Sequence, residues 1–212
     1  SGLRYDLTVP LSRFYSNNAN DLPTPFKALQ MGSVWRADRP QRGRFRQFVQ
    51  CDIDILGEPT CLAEIELILA TTTLLGKLNF KDFKVRINER RILKAMASYS
   101  GFTEDQYDQV FIILDKMDKI GWDGVKAELI ESGYPEVNVE KYVTMFDEME
   151  KAEDALAYLS EKLSGVLEED VIENLRTIRT SVEATAASKF QLVFDPTLVR
   201  GMSYYTGTIF EI

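Results

Sequence analysis

The residues of this 212-residue sequence that could do chemistry gather in three places. The densest is Arg36-Ala37-Asp38-Arg39-Pro40-Gln41-Arg42-Gly43-Arg44-Phe45-Arg46, five arginines and no lysine in eleven residues. A guanidinium is a rigid fork of donors that matches phosphate oxygens two at a time and does not lose its charge. Gly43 between two arginines lets the backbone come close to a ligand. A solvated basic turn is the competing reading of the same residues. Just after it, Gln50, Asp52 and Asp54 alternate along a strand-like run, so all three project from one face. One amide and two carboxylates suit an ammonium group or a metal ion; a plain solvent-facing strand would carry more varied polar residues. Asp6 and Thr8 repeat the arrangement in miniature. The third place is Leu198 to Gly207, where Arg200-Gly201 precedes Tyr204-Tyr205 at the mouth of a strand. It could bring a cation and two phenols to a pocket, and it is also a common kind of loop. Together the three segments describe a site for an anion, an ammonium group and a small polar ring.

Composition narrows the chemistry further. The chain contains no histidine, which removes Ser-His-Asp and Cys-His nucleophile pairs, HExxH zinc sites and any imidazole base. Cys51 and Cys61 fit neither CxxC spacing nor a disulfide framework, and are expected to be reduced, buried small hydrophobes. The net charge of -8 argues against simple coating of nucleic acid. It is unevenly spread: residues 1–57 carry 8 basic and 5 acidic side chains, the remainder 17 and 28. A mildly basic head on an acidic body suggests that one face meets anions. The longest uncharged apolar stretch, Leu67 to Gly76, is too short to span a membrane, and no signal-peptide pattern opens the chain, so the expected location is cytoplasmic.

The elements that must position these residues follow from periodicity. Leu3 to Val9 alternates before Pro10, Ser33 to Arg36 is a short aromatic and β-branched run, and Phe45 to Leu56 is the best strand, with Val49, Cys51, Ile53 and Ile55 on the face expected to pack inward. A helix follows with Thr60 as its cap and an apolar body through Leu75. Phe83 to Asn88 returns as a strand. From Glu89 to Ser188 the signal is helical: Thr103 to Gln106 reads as a capping box, and Val139, Tyr142, Met145, Phe146 and Met149, like Val171, Leu175, Ile178 and Val182, recur at helical spacing as core stripes. Phe190 to Phe194 and Thr206 to Ile212 are strands again. The domain organisation expected is a sheet region over 1–88 and 190–212, carrying a helical insertion over 89–189, an α+β fold.

The motifs themselves resemble a known family. Leu3-Arg4-Tyr5-Asp6-Leu7-Thr8-Val9-Pro10 is similar to the amino-acid-binding segment of histidyl-tRNA synthetases, Val34-Trp35-Arg36 through Gln50-Cys51-Asp52-Ile53-Asp54 to motif 2 of class II aminoacyl-tRNA synthetases, and Leu198 to Glu211 to the first histidine-specific signature, with Ser203 where the family often has Asp. The resemblance implies a class II synthetase-type antiparallel sheet with flanking helices, incomplete here and interrupted by an all-helical insertion domain. It implies a histidine–tRNA ligase using ATP and Mg²⁺ to form histidyl-adenylate and then charge tRNA(His), with no metal held by the protein itself. Arg36 and Arg200 would hold the α-phosphate, Arg44 the terminal phosphates, Asp6, Thr8, Gln50 and Asp54 the amino group of histidine, and Tyr204 and Tyr205 its imidazole. The insertion would close over the tRNA acceptor end, meeting it through basic residues such as Arg86, Arg90, Arg91 and Lys94. Motif 1 would precede Leu3, and motif 3, a second signature and an anticodon-binding domain would follow Ile212. The chain is therefore expected to be a truncated piece of a homodimeric protein, inefficient alone. Two alternatives share some of these residues: a noncatalytic paralogue, such as the histidine-sensing regulatory subunit of ATP phosphoribosyltransferase, and a nucleic-acid-binding module built on the arginine hairpin.

Overall fold

A computed structural model describes residues 1–200 and 205–212, which form two compact units, residues 1–68 and 69–212. In the first unit, β1 (Phe26–Trp35) and β2 (Gln47–Leu56) pair antiparallel along their whole length, Phe26 opposite Leu56 and Trp35 opposite Gln47. The connection between them is the arginine segment, closed by a tight turn in which Gln41 and Arg44 exchange backbone hydrogen bonds of 3.1 and 2.9 Å. Gly43 sits in this turn at φ 78°, in the left-handed region. A Cβ built there would meet nothing within 4 Å, so glycine serves the backbone angle rather than a close contact.

The segment Leu3–Val9 departs from its expected strand. Its last residues begin α1 (Thr8–Asn18), which runs through Pro10. Proline is tolerated in a first helical turn, where its missing N–H would have no intrahelical partner. The Val9 N–H instead reaches the Asp6 carboxylate at 3.2 Å. Ahead of α1 the chain lies along β1: Trp35 N–H donates to the Arg4 carbonyl at 2.9 Å, and Arg4 Nε to the Ser33 carbonyl at 2.7 Å.

That placement inverts the expected burial of the ribbon. The N-terminal segment covers the face carrying Gln30, Gly32 and Val34, with Asp54, Asp52, Gln50 and Phe48 opposite on β2. The apolar residues of the other face stay exposed: Leu29, Met31 and Val49 are 68, 73 and 69% accessible, and Ile53 39%. The expectation that Val49, Cys51 and Ile53 pack inward is thus corrected, and with it the burial of the thiols. Cys51, paired with Met31, is exposed, and Cys61 is half-buried; both are free. Alternation says which residues share a face, but the layer laid over the ribbon decides which face is covered.

Helix α2 (Leu62–Lys77) carries the chain out of the first unit. Thr60 stands at its start, its hydroxyl accepting from the Leu62 N–H at 3.3 Å. In the second unit β3 (Lys84–Glu89) is the central strand, parallel to β4 (Gln191–Phe194) and antiparallel to β5 (Thr208–Glu211). The pairing is therefore mixed, not antiparallel throughout as expected. Six helices separate β3 from β4, long enough for the crossover that a parallel pair requires. They are α3 (Arg90–Tyr99), α4 (Tyr107–Leu114), α5 (Met117–Glu131), α6 (Glu136–Lys151), α7 (Ala155–Lys162) and α8 (Glu169–Thr185). The periodic stripes are buried as expected, Val139, Tyr142, Met145, Phe146 and Met149 on α6 and Val171, Leu175, Ile178 and Val182 on α8. The capping box at Thr103 and Gln106 is present. No helix among the described residues is long and apolar enough to cross a membrane.

Candidate active site

The covered face of the ribbon concentrates the first unit's chemistry. Arg36 follows β1, its backbone N–H bonded to the Arg46 carbonyl at 2.8 Å. Its guanidinium lies 4.6 Å from the Tyr5 ring centre and 5.0 Å from that of Phe48, and Nε donates to the Tyr5 carbonyl at 3.4 Å. Two aromatic rings and a carbonyl thus hold the cation's plane at one end of the face. Along β2, burial pushes both carboxyls above the usual carboxylate range. For Asp52 desolvation leads, followed by repulsion from Asp54 and Asp6, while Arg36 and Gln50 pull the other way. For Asp54 desolvation is opposed by the Gln30 amide alone. Gln50 Oε1 and Asp54 Oδ2 are buried without a hydrogen-bond partner, a costly arrangement unless a donor completes it.

Gln50 and Asp54 share the covered face of β2, and Asp6 lies close enough to raise Asp52 between them. Thr8 opens α1 and lends its carbonyl to the Ser12 hydroxyl. Arg44 is exposed in the hairpin turn. Residues not singled out in the sequence join the site: Gln30 beside Asp54, and Arg4, whose guanidinium lies so close over Gly32 that a Cβ there would come within 2.7 Å of it. Gly32 within a strand was the available signal, but only the register reveals that it faces Gln50.

The raised carboxyls carry a linkage prediction. An acid whose folded pKa exceeds its unfolded value stabilises the fold only while protonated, so its contribution falls as pH rises from near 3.8. Asp54→Asn should match the wild-type chain in urea stability at pH 3.5 and exceed it at pH 7, by on the order of 1 kcal/mol or less because solvent still reaches the group. Equal stabilities at both pH values would show that the Asp54 carboxylate is not strained by its burial.

In the second unit, Arg200 is exposed and paired: Nε and one terminal nitrogen donate to Glu211 at 2.6 and 3.3 Å, and the other terminal nitrogen to Asp115 at 3.3 Å. Tyr205 is exposed; Tyr204 lies outside the described residues. The basic residues expected to meet RNA are mostly committed elsewhere. Arg86 pairs with Asp195 and Glu211, Arg91 with Glu89, Glu168 and Asp170, and the buried Arg90 with Asp108 and the Phe111 ring. Only Lys94 of that group is exposed. A groove of about 1000 Å³ in this unit is lined by Asp118, Glu150, Glu153, Asp154, Glu183 and Asp195 against one cation among the described residues, Arg179, a face that repels phosphate. Among the described residues no group of three or more His, Cys, Asp or Glu could hold a metal ion.

This is an α+β chain whose covered hairpin face joins a ring-stacked arginine to a row of amide and carboxylates, groups whose chemistry suits an anion at one end and an ammonium group along the row. The pattern of the histidyl-tRNA synthetase family matches residues 1–212, and the chain belongs to that family. The histidine–tRNA ligase of Leifsonia xyli subsp. xyli is 45% identical over 215 residues, covering 100% of this chain and 50% of the relative. The crystal structure of histidyl-tRNA synthetase from Nostoc sp. PCC 7120 matches with a TM-score of 0.81 at 30% identity, over 98% of this chain and 48% of that one. A Bacillus halodurans protein described as an ATP phosphoribosyltransferase regulatory subunit/histidyl-tRNA synthetase shares the fold, with a TM-score of 0.79 at 21% identity, over 98% of this chain and 53% of that one. The chain spans about half the length of the curated relatives it matches.

Proposed function

We propose that the chain carries the amino-acid-activating site of a histidine–tRNA ligase. The observation that supports this most directly is the pair of buried, unpartnered acceptors Gln50 Oε1 and Asp54 Oδ2 on the covered face that ends at the ring-stacked Arg36. An amino acid with an ammonium and a carboxylate, presented to a nucleotide phosphate, satisfies both ends of that face. In the reaction the histidine carboxylate attacks the α-phosphorus of ATP and pyrophosphate leaves. A hydroxyl at the 3′ end of tRNA(His) then attacks the carbonyl carbon, and AMP leaves. Arg36 and Arg200 stabilise the charge that grows on the α-phosphoryl oxygens, Arg44 meets the terminal phosphates, and Mg²⁺ arrives with ATP as part of the substrate. Asp6, Thr8, Gln50 and Asp54 take the ammonium group, and Tyr204 and Tyr205 border the imidazole. The homodimer and a cytoplasmic setting belong to the same proposal.

The test is histidine-dependent exchange of labelled pyrophosphate into ATP by the full product of the gene, with calorimetry of histidine binding alongside. Exchange with histidine, and none with the other amino acids, is the expected result. Histidine binding without exchange would identify a sensor of the regulatory type and overturn the ligase reading.

A further inference from the structure

We propose that Glu211 is the positioning residue for Arg200, and that Asp115 restrains the same guanidinium from the helical segment. The inference deepens the proposed function, since it rests on Arg200 acting at the α-phosphate.

Glu211 on β5 takes the side edge of the guanidinium, receiving Nε at 2.6 Å and one terminal nitrogen at 3.3 Å, the two-point geometry that fixes a plane. Glu211 is held in turn: Arg86 on the neighbouring strand β3 lies 3.5 Å from it and is itself anchored to Asp195 at 3.0 Å. Arg200 and, after it, Arg86 keep the Glu211 carboxyl below its usual range, so it stays ionised as the pH falls. Asp115 approaches from another element. It caps the C-terminus of α4, its backbone N–H donating to the Phe111 carbonyl at 2.9 Å, and it takes one proton of the remaining terminal nitrogen at 3.3 Å.

A guanidinium has five N–H donors, one on Nε and two on each terminal nitrogen. The two carboxylates engage three, which leaves, among the described residues, one N–H on each terminal nitrogen. The end edge of the guanidinium, one N–H from each terminal nitrogen, is the pair that suits one bidentate phosphate, and Asp115 sits at one of those two nitrogens. The carboxylates then differ in role. Glu211 sets the direction in which the free edge points and belongs to the same sheet. Asp115 belongs to the helical segment, 85 residues away in sequence. Its charge competes directly with an incoming anion, and a movement of the α4–α5 corner would change how strongly Arg200 attracts phosphate.

The two carboxylates should therefore respond with opposite signs. In the full gene product, Glu211→Gln is expected to lower kcat for histidine-dependent exchange at least tenfold with the KM for histidine within twofold, and Glu211→Asp to recover part of the loss. Asp115→Asn is expected to lower the KM for ATP about threefold. Exchange by Glu211→Gln within twofold of wild type, or an unchanged or raised KM for ATP in Asp115→Asn, overturns the inference. Arg200→Ala separates this from the parent reading: if it exchanges normally, or the wild type does not exchange at all, Arg200 is not catalytic and the functional reading falls. The clamp is read independently by a double-mutant cycle of Arg200→Gln and Glu211→Gln in urea. Coupled midpoints, the double variant matching the single ones, support it; strictly additive shifts overturn it whatever the activity.

Discussion

Alanine at Arg36 should lower kcat for histidine-dependent pyrophosphate exchange by about 10²–10³-fold, the loss of a fixed cation aimed at developing charge. The KM for histidine should stay within about threefold, because the proposed function gives the ammonium group to Gln50 and the carboxylates, which sit further along the same face. Lysine should restore little. Arg36 is held as a plane, stacked near Tyr5 and Phe48 with Nε on the Tyr5 carbonyl, and an ammonium can reproduce neither the stacking nor the fork. Folding is a separate term: the ring contacts contribute about 0.5–1 kcal/mol each, while the backbone bond from residue 36 to the Arg46 carbonyl survives the substitution. A thermal melt therefore divides the two effects, and a small shift in Tm beside a large loss of exchange is the signature expected. Were RNA affinity to fall as much as ATP affinity, the arginine hairpin would instead be a nucleic-acid-binding element, and the catalytic assignment of Arg36 would be lost.

The same face shows what sequence can and cannot carry. That Gln50, Asp52 and Asp54 share a side follows from a period of two and needs no structure. That this polar side is the covered one does not follow, since Val49, Cys51 and Ile53 are the residues hydrophobicity would bury, yet Val49 is 69% exposed. The decision is made by tertiary contacts: Arg4 and Leu7 lie over Gly32, and Gln30 Nε2 reaches the Leu7 carbonyl at 3.4 Å. A site built to satisfy polar groups is where a hydrophobic pattern gives the wrong side. Leu3–Val9 fails for a local reason, because alternation over seven residues cannot distinguish a strand from an extended lead into a helix whose first turn tolerates Pro10. The helices of the second unit were legible because their stripes repeat over many turns and have a single inside. The fate of their charges was not. Arg86, Arg90 and Arg91 look like a basic cluster in the chain, but partners up to 125 residues away, such as Glu211 for Arg86, commit them to carboxylates.

Tyr142 offers the sharpest test of the helical core, because two substitutions of one residue should act with opposite sign. It is fully buried on α6, edge-on to Phe102 at 5.5 Å and to Phe146 at 5.0 Å. Truncation to alanine removes the ring from both contacts and leaves a cavity, a loss of about 3–5 kcal/mol, a large part of the 5–15 kcal/mol that a domain has. The hydroxyl contributes nothing comparable. It is buried without a partner, and burial pushes its pKa far above the ordinary phenol value, so the fold bears a desolvation cost of about 1–3 kcal/mol that no hydrogen bond returns. Phenylalanine keeps the ring and sheds that cost. Tyr142→Phe should therefore equal or exceed the wild-type urea midpoint, while Tyr142→Ala should lower it steeply and begin the loss of helical circular dichroism well before the wild type. A Tyr142→Phe variant that loses 1 kcal/mol or more would mean that the hydroxyl is hydrogen-bonded in solution, and that this aromatic cluster is built around a polar contact instead of a dry one.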